Sequence, residues 1–222
     1  MRKKLACLHA HFSNIQYIEQ SLSSYDIELI HFVDPGLIHR VNHDRHFQPE
    51  NAQKKVKEQI EWMANCGVDA ILITCTNYIA LLPEDDLLAS VPILKIDEPY
   101  FEYISSIRQP QTIIFSNAAT VKGTMERLNQ YATRKQRSLN VDVMIIPDVF
   151  ELIMKGLQQE YTQAVSTFLI NTSKDKENLS VAQLSMVEAA QQVEEATLIT
   201  IINPLNLLIT TIIEQLELKR KA

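Results

Sequence analysis

Along this chain, short apolar runs alternate with longer stretches whose apolar positions recur every three or four residues. Lys4 to His9 and Ile27 to Val33 read as strands. Between them a helix runs to about Ser23, with Ser13 placed to cap it. Asp34-Pro35-Gly36 is a turn signal, and the polar, histidine-rich residues 37–48 read as a loop. Val56, Ile60 and Met63 share one face of a helix over 50–65, which Cys66-Gly67 ends. Val68 to Ile73 is an apolar run, as in a strand buried on both faces. It stops at Thr74-Cys75-Thr76-Asn77. A helical pattern then reaches Pro83, residues 85–90 add a short helical piece, and 91–96 make a fourth strand.

The pattern then restarts. Helix is expected over 99–108, strand over 112–115, helix over 118–132 and strand over 141–146. Pro147 opens helical segments that reach about Asn171. Leu179 to Gln183 is the next strand, Ser185 to Glu194 a helix and Leu198 to Ile202 a strand. A last helix starts at Pro204 and runs to about Leu218. Alternating β and α units predict an α/β fold with one or two parallel sheets flanked by helices. A faint repeat accompanies the restart. Phe12-Ser13-Asn14 follows the first strand and Phe115-Ser116-Asn117 ends the fifth, and each is followed later by a strand and a polar elbow. That order suggests two pseudo-symmetric lobes, with a cleft between the elbows at Cys75 and Ser185.

Composition narrows the class. The 222 residues are 46% hydrophobic and 22% charged, enough for one large core or two smaller ones. The net charge of −6 and the lack of a long basic run argue against a nucleic-acid partner; Lys219 to Lys221 read as a solvated terminus. With four glycines and no GxGxxG or Walker pattern, no phosphate loop is expected. Three cysteines do not make a disulfide framework and fit a reducing cytoplasm. The N-terminus reads as a strand rather than a signal peptide. The apolar stretch 198–213 is broken by Asn203, Pro204 and Asn206, so no membrane partner is expected.

Cys75 is the sharpest chemical candidate. It lies where a strand stops and a helix begins, the place where open α/β sheets bind ligands. A helix start stabilises a carboxylate or a thiolate. A free cysteine can also be only a small buried apolar group, but the flanking Thr74, Thr76 and Asn77 suit a bound carboxylate better than a core. Ser185, with Gln183 before it, marks the second elbow; capping alone would also explain it, and no GxSxG surrounds it. Asn14, Asn117, Thr120 and Thr124 stand at helix starts and could hold a ligand or act as caps. Cys7, His9 and His11 alternate on one strand face, a conceivable metal site with no second ligand cluster of recognised spacing, and His39, His43 and His46 could join only by folding back. No metal is expected on balance.

At ITCTNY and VAQLSM the chain resembles the aspartate/glutamate/hydantoin racemase superfamily. HAHFSN, FSNAATVKGTMERL, LSVAQLSMVEAA and the terminal IINPLNLL extend the resemblance over most of the sequence. It implies an N-terminal lobe of residues 1–96 plus 203–222 and a second lobe of 97–202, with the last helix returning to the first. It implies catalysis without pyridoxal phosphate or other cofactor, on a small carboxylate or amino-acid substrate, in a protein that could be a homodimer. Two cysteines would flank the substrate, one removing the Cα proton and the other protonating the opposite face. By motif, Cys75 is the first thiol, Thr76 and Asn77 bind carboxylate, and Asn14, Asn117 and Thr120 hold the ligand. At the second cysteine the resemblance points to Ser185, with Glu188 one helical turn on as a conceivable base. That departure leaves three readings open: a racemase or isomerase, a one-cysteine decarboxylase or isomerase, and a silent carboxylate-binding protein.

Overall fold

The computed structural model describes residues 2–82 and 89–221. The chain divides into two compact units, Met1–Asp97 with Leu208–Ala222, and Glu98–Leu207.

The first unit contains β1 (Lys3–His9), α1 (Asn14–Leu22), β2 (Ile27–Val33), α2 (Pro35–His43), α3 (Pro49–Ala64), β3 (Ala70–Ile73), α4 (Thr76–Ala80) and β4 (Ile93–Lys95). Its sheet is parallel, in the order β2-β1-β3-β4. All four residues of β3 are buried, as its unbroken apolar run requires. On α3, Ala52, Val56, Ile60 and Met63 turn inward, and Gly67 beyond the helix takes the left-handed φ of +68° that glycine accepts without strain.

The second unit contains α5 (Glu98–Ser106), β5 (Gln111–Phe115), α6 (Ala118–Arg134), β6 (Val141–Ile145), α7 (Phe150–Met154), α8 (Gln158–Thr172), β7 (Leu179–Val181), a 3-10 turn at Leu184–Met186 and α9 (Val187–Thr197). Its sheet is also parallel, ordered β6-β5-β7. Ile202 adds a single parallel bridge to Ser180 on the far side of β7. Each unit therefore places its second strand, its first and its third in the same order, with the fourth segment beside the third. Helix α10 (Pro204–Leu216) begins in the second unit and continues in the first.

Several expectations need correction. Residues 37–43 are helical, not a loop. The Asp34 carboxylate accepts the N–H groups of Gly36 at 2.8 Å and Leu37 at 3.2 Å, and Pro35 takes the first turn, so Asp-Pro-Gly works as a helix start. Ser13 precedes α1 without a capping bond; its hydroxyl is paired with the His11 ring at 2.9 Å. The helix after Cys75 is one turn, ending at Ala80, and most of the piece expected at 85–90 lies outside the described residues. Leu198 to Ile202 is a single bridge rather than a strand, because Leu198 turns left-handed at φ 60° to close α9. The basic tail is not simply solvated: Arg220 bridges Tyr25, and Lys219 O accepts the N–H of Asp26 at 2.8 Å.

Candidate active site

In the first unit, the hydrogen bonds of the sheet carry β3 up to its elbow. Leu8 pairs with Ile73, and Thr74 N–H donates to Leu8 O at 3.0 Å. Cys75 comes next, extended at φ −114° and ψ 119°, half-buried, and caps α4 by position without a capping bond from its side chain. Cys75 O accepts the Ile79 N–H at 3.1 Å, so the turn is closed directly on the cysteine. Thr76 is half-buried and Asn77 exposed in that first turn. Five residues give the aligned N–H groups of one turn, not the dipole of a long helix.

Asn14, the first residue of α1, donates from its side-chain amide to Thr74 Oγ1 at 3.3 Å. It is therefore brought beside the residue that precedes Cys75. Behind Thr74 lies a pair of histidines that sequence spacing alone did not join. His9 Nδ1 is 2.9 Å from Thr74 Oγ1, and His9 Nε2 is 2.8 Å from His31 Nδ1. The strand register explains the pairing. Cys7 on β1 lies opposite His31 on β2, and His9 is two residues on, on the same face. The donor atoms of Cys7, His9 and His31 lie within 4.8 Å of one another. His11, expected in that set, instead is exposed and bonded to Ser13, and His39, His43 and His46 are exposed around α2. Burial pushes the Cys7 thiol far up and the His9 imidazole down to about 4, helped by His31; His31 is lowered by burial against an opposing effect of Glu19. At neutral pH the three groups are uncharged.

The second unit holds an independent network at its own elbow. Ile114 pairs with Val181, and Ala182 N–H donates to Ile114 O at 3.0 Å. In this register Ala182 matches Thr74, and the residue that matches Cys75 is Gln183. Gln183 is likewise extended, at φ −127° and ψ 143°, at the start of a helical turn. Ser185 lies two residues further, where Asn77 lies in the first unit. The expected pairing of Ser185 with Cys75 is thus offset by two residues. Gln183 Oε1 accepts Ser116 N–H at 2.7 Å, Ser116 O–H at 2.8 Å and Asn117 N–H at 3.1 Å.

The polarity of this network can be worked out. Ser116 spends its proton on Gln183. Tyr161 of α8 spends its own on Ser116 at 2.8 Å. Ser185, 2.9 Å from the Tyr161 oxygen, must then be the donor of that contact. Tyr161 is fully buried, and burial pushes its phenol up, so it is no base near neutral pH. Glu188, the base imagined for Ser185, is exposed and bonded to Gln192 at 3.5 Å. Tyr161 was missed because nothing in its local sequence separates it from a core aromatic. Asn117 caps α6 by accepting Ala119 N–H at 3.0 Å, and Thr120 donates back to Asn117 O at 2.8 Å. Both serve the helix start. The two FSN triplets also hold different places: Phe115 is buried within β5, whereas Phe12 is 68% exposed.

No sequence-family profile matches this chain, and no curated protein matches its sequence. Solved structures do match. The chain is similar to the Picrophilus torridus aspartate racemase at 13% identity and a TM-score of 0.67, over 99% of this chain and 96% of that one. It is similar to the allantoin racemase from Klebsiella pneumoniae at 16% identity and a TM-score of 0.64, covering 99% and 90%. A glutamate racemase from Francisella tularensis, solved with D-glutamate, matches at 13% identity and a TM-score of 0.65, covering 97% and 81%. Two parallel sheets flanked by helices, repeated in one order and matched over nearly the whole chain, give this protein the fold of the aspartate, glutamate and allantoin racemases.

Proposed function

We propose that this chain is a cofactor-independent, racemase-like enzyme that moves a proton at the α-carbon of a small carboxylate, with Cys75 as its base. The observation that carries the reading is the place of Cys75: a half-buried thiol at the junction of a buried parallel strand and a helical turn, beside Thr76 and Asn77. The Cys75 thiolate takes the Cα proton and becomes a thiol. The electron pair moves into the substrate carboxylate as an enediolate. Thr76, Asn77 and the first-turn amides hold that carboxylate, and Asn14 holds the rest of the ligand. Asn117 and Thr120 contribute chiefly by forming the start of α6 in the second unit.

Gln183 shapes the outcome. An amide neither gives nor takes a proton near neutral pH, and its oxygen already accepts three hydrogen bonds. Ser185 donates its own proton to the Tyr161 oxygen, and that buried phenol is no base near neutral pH. With one thiol, the proton returns to the face it left. The expected reaction is therefore exchange at Cα with retention, or a one-sided decarboxylation or isomerisation, rather than fast two-sided racemisation. Incubation with aspartate, glutamate and hydantoins in D₂O tests this directly. Deuterium at Cα without inversion, lost in Cys75→Ser, supports it. Gln183→Cys and Ser185→Cys then locate the missing second group: inversion gained with the first and not the second supports the register match. The same observation at Gln183 favours one alternative, a carboxylate-binding protein without turnover. Tight binding of one carboxylate with no exchange across the panel would replace the enzyme reading with that one.

A further inference from the structure

Behind the Cys75 elbow, four polar groups form a chain that the sequence does not announce: Thr74, His9, His31 and Glu19. Thr74 Oγ1 is 2.9 Å from His9 Nδ1, His9 Nε2 is 2.8 Å from His31 Nδ1, and His31 Nε2 is 3.7 Å from Glu19 Oε1. Thr74 and His9 are buried, and the His31 side chain is 14% exposed.

A chain of neutral rings can be hydrogen-bonded in only two senses. In one, Thr74 donates to Leu8 O at 3.2 Å, His9 Nδ1–H donates to Thr74, and His31 Nδ1–H donates to His9 Nε2. That sense leaves His31 Nε2 as a bare lone pair facing a carboxylate. The atom is buried and has no hydrogen-bond partner among the described residues. In the other sense, Thr74 O–H donates to His9 Nδ1, His9 Nε2–H to His31 Nδ1, and His31 Nε2–H points at Glu19. Every ring nitrogen is then satisfied, once the exposed Glu19 side chain closes the remaining gap to about 2.9 Å. Leu8 O loses little, because it keeps the Thr74 N–H at 3.0 Å. The third group near the rings, the neutral Cys7 thiol, has its nearest acceptor in Leu5 O at 4.0 Å and does not compete.

We propose that Glu19 is a positioning residue for the Cys75 elbow, acting through His31, His9 and Thr74 as one hydrogen-bonded chain whose sense it sets. With its proton given to His9, Thr74 Oγ1 accepts from the Asn14 amide alone, whereas in the other sense it also accepts His9 Nδ1–H and the two donors share its lone pairs. The undivided bond holds the Asn14 NH₂ group on Thr74 and turns the Asn14 carbonyl oxygen away. That oxygen is then the acceptor for a substrate N–H, which selects amino acids or hydantoins over carboxylates that lack a nitrogen. This role rests on the proposed reaction at Cys75; the sense of the chain does not.

Long-range ¹H–¹⁵N spectra of histidine-labelled protein at pH 7 read the tautomers without any turnover. The expected result is an Nε2–H tautomer on both His9 and His31. In Glu19→Lys a donor with no acceptor faces His31 Nε2, so both rings should switch to Nδ1–H, and Cα exchange should slow about tenfold. Glu19→Asp, which keeps the carboxylate, should restore the Nε2–H tautomers. Nδ1–H on either ring of the wild type overturns the proposal, as does a Glu19→Lys spectrum identical to wild type. If no carboxylate exchanges but the tautomers are as stated, the reaction at Cys75 fails while the Glu19 chain stands.

Discussion

At the scale of single residues, the decisive contrast is between Cys75 and Gln183. They occupy the same register position in two sheets of the same order, and only one can carry a proton. Cys75 was legible because a thiol among hydroxyls and an amide stands out at a strand end. Gln183 was not, because a three-residue match cannot reveal an offset of two that hydrogen-bond register makes plain. Tyr161→Phe is informative at this scale. It removes the hydroxyl that joins Ser116 to Ser185, leaving the Ser185 proton without its partner. A loss of about 1–2 kcal/mol in denaturant unfolding is expected. An unchanged midpoint would mean that water replaces the phenol at no cost.

At the scale of elements, β1, β3, α3, α6 and α10 could be read from apolar spacing because each buries a continuous face, whereas β2 is buried only at Ile27 and was legible from its apolar composition. The misses were elements held by local polar chemistry. Helix α2 buries only Leu37 and depends on its start, where Asp34 caps two N–H groups and also accepts the Gln59 amide at 2.5 Å. Asp34→Ala should cost about 1–2 kcal/mol and increase amide exchange over 35–43 first. Uniform loss of protection across the first unit would contradict a local cap. The histidine pair was hidden for a related reason. His9 and His31 are distant in sequence, and only the pairing of β1 with β2 puts them on one face.

At the scale of the whole molecule, the repeated strand order and the match to racemases over nearly the full chain account for the fold at 13–16% identity, where short motifs such as ITCTNY and VAQLSM carry a resemblance that whole-chain sequence comparison does not. Among the described residues, no helix is long and apolar enough to cross a membrane. Global stability should respond to acid through His9. Its folded value, about 4, lies below its ordinary value of 6.5, so between these the unfolded chain binds the proton and the folded chain does not. The stabilisation is complete above pH 6.5 and is lost as pH falls toward 4, about 3 kcal/mol in all. Unfolding measured from pH 7 to 4 should show this slope, and His9→Gln should flatten it. An equal slope in the variant would place the acid sensitivity elsewhere.

The central claim is that one thiol, Cys75, handles the α-proton alone. The most direct measurement is deuterium incorporation at Cα of single-enantiomer aspartate, glutamate and hydantoin substrates in D₂O, with chiral analysis of the recovered compound. The account predicts incorporation with retained configuration for at least one substrate, reduced by about 10²-fold or more in Cys75→Ser. Equal incorporation by wild type and Cys75→Ser, or rapid inversion by the wild type, would contradict it.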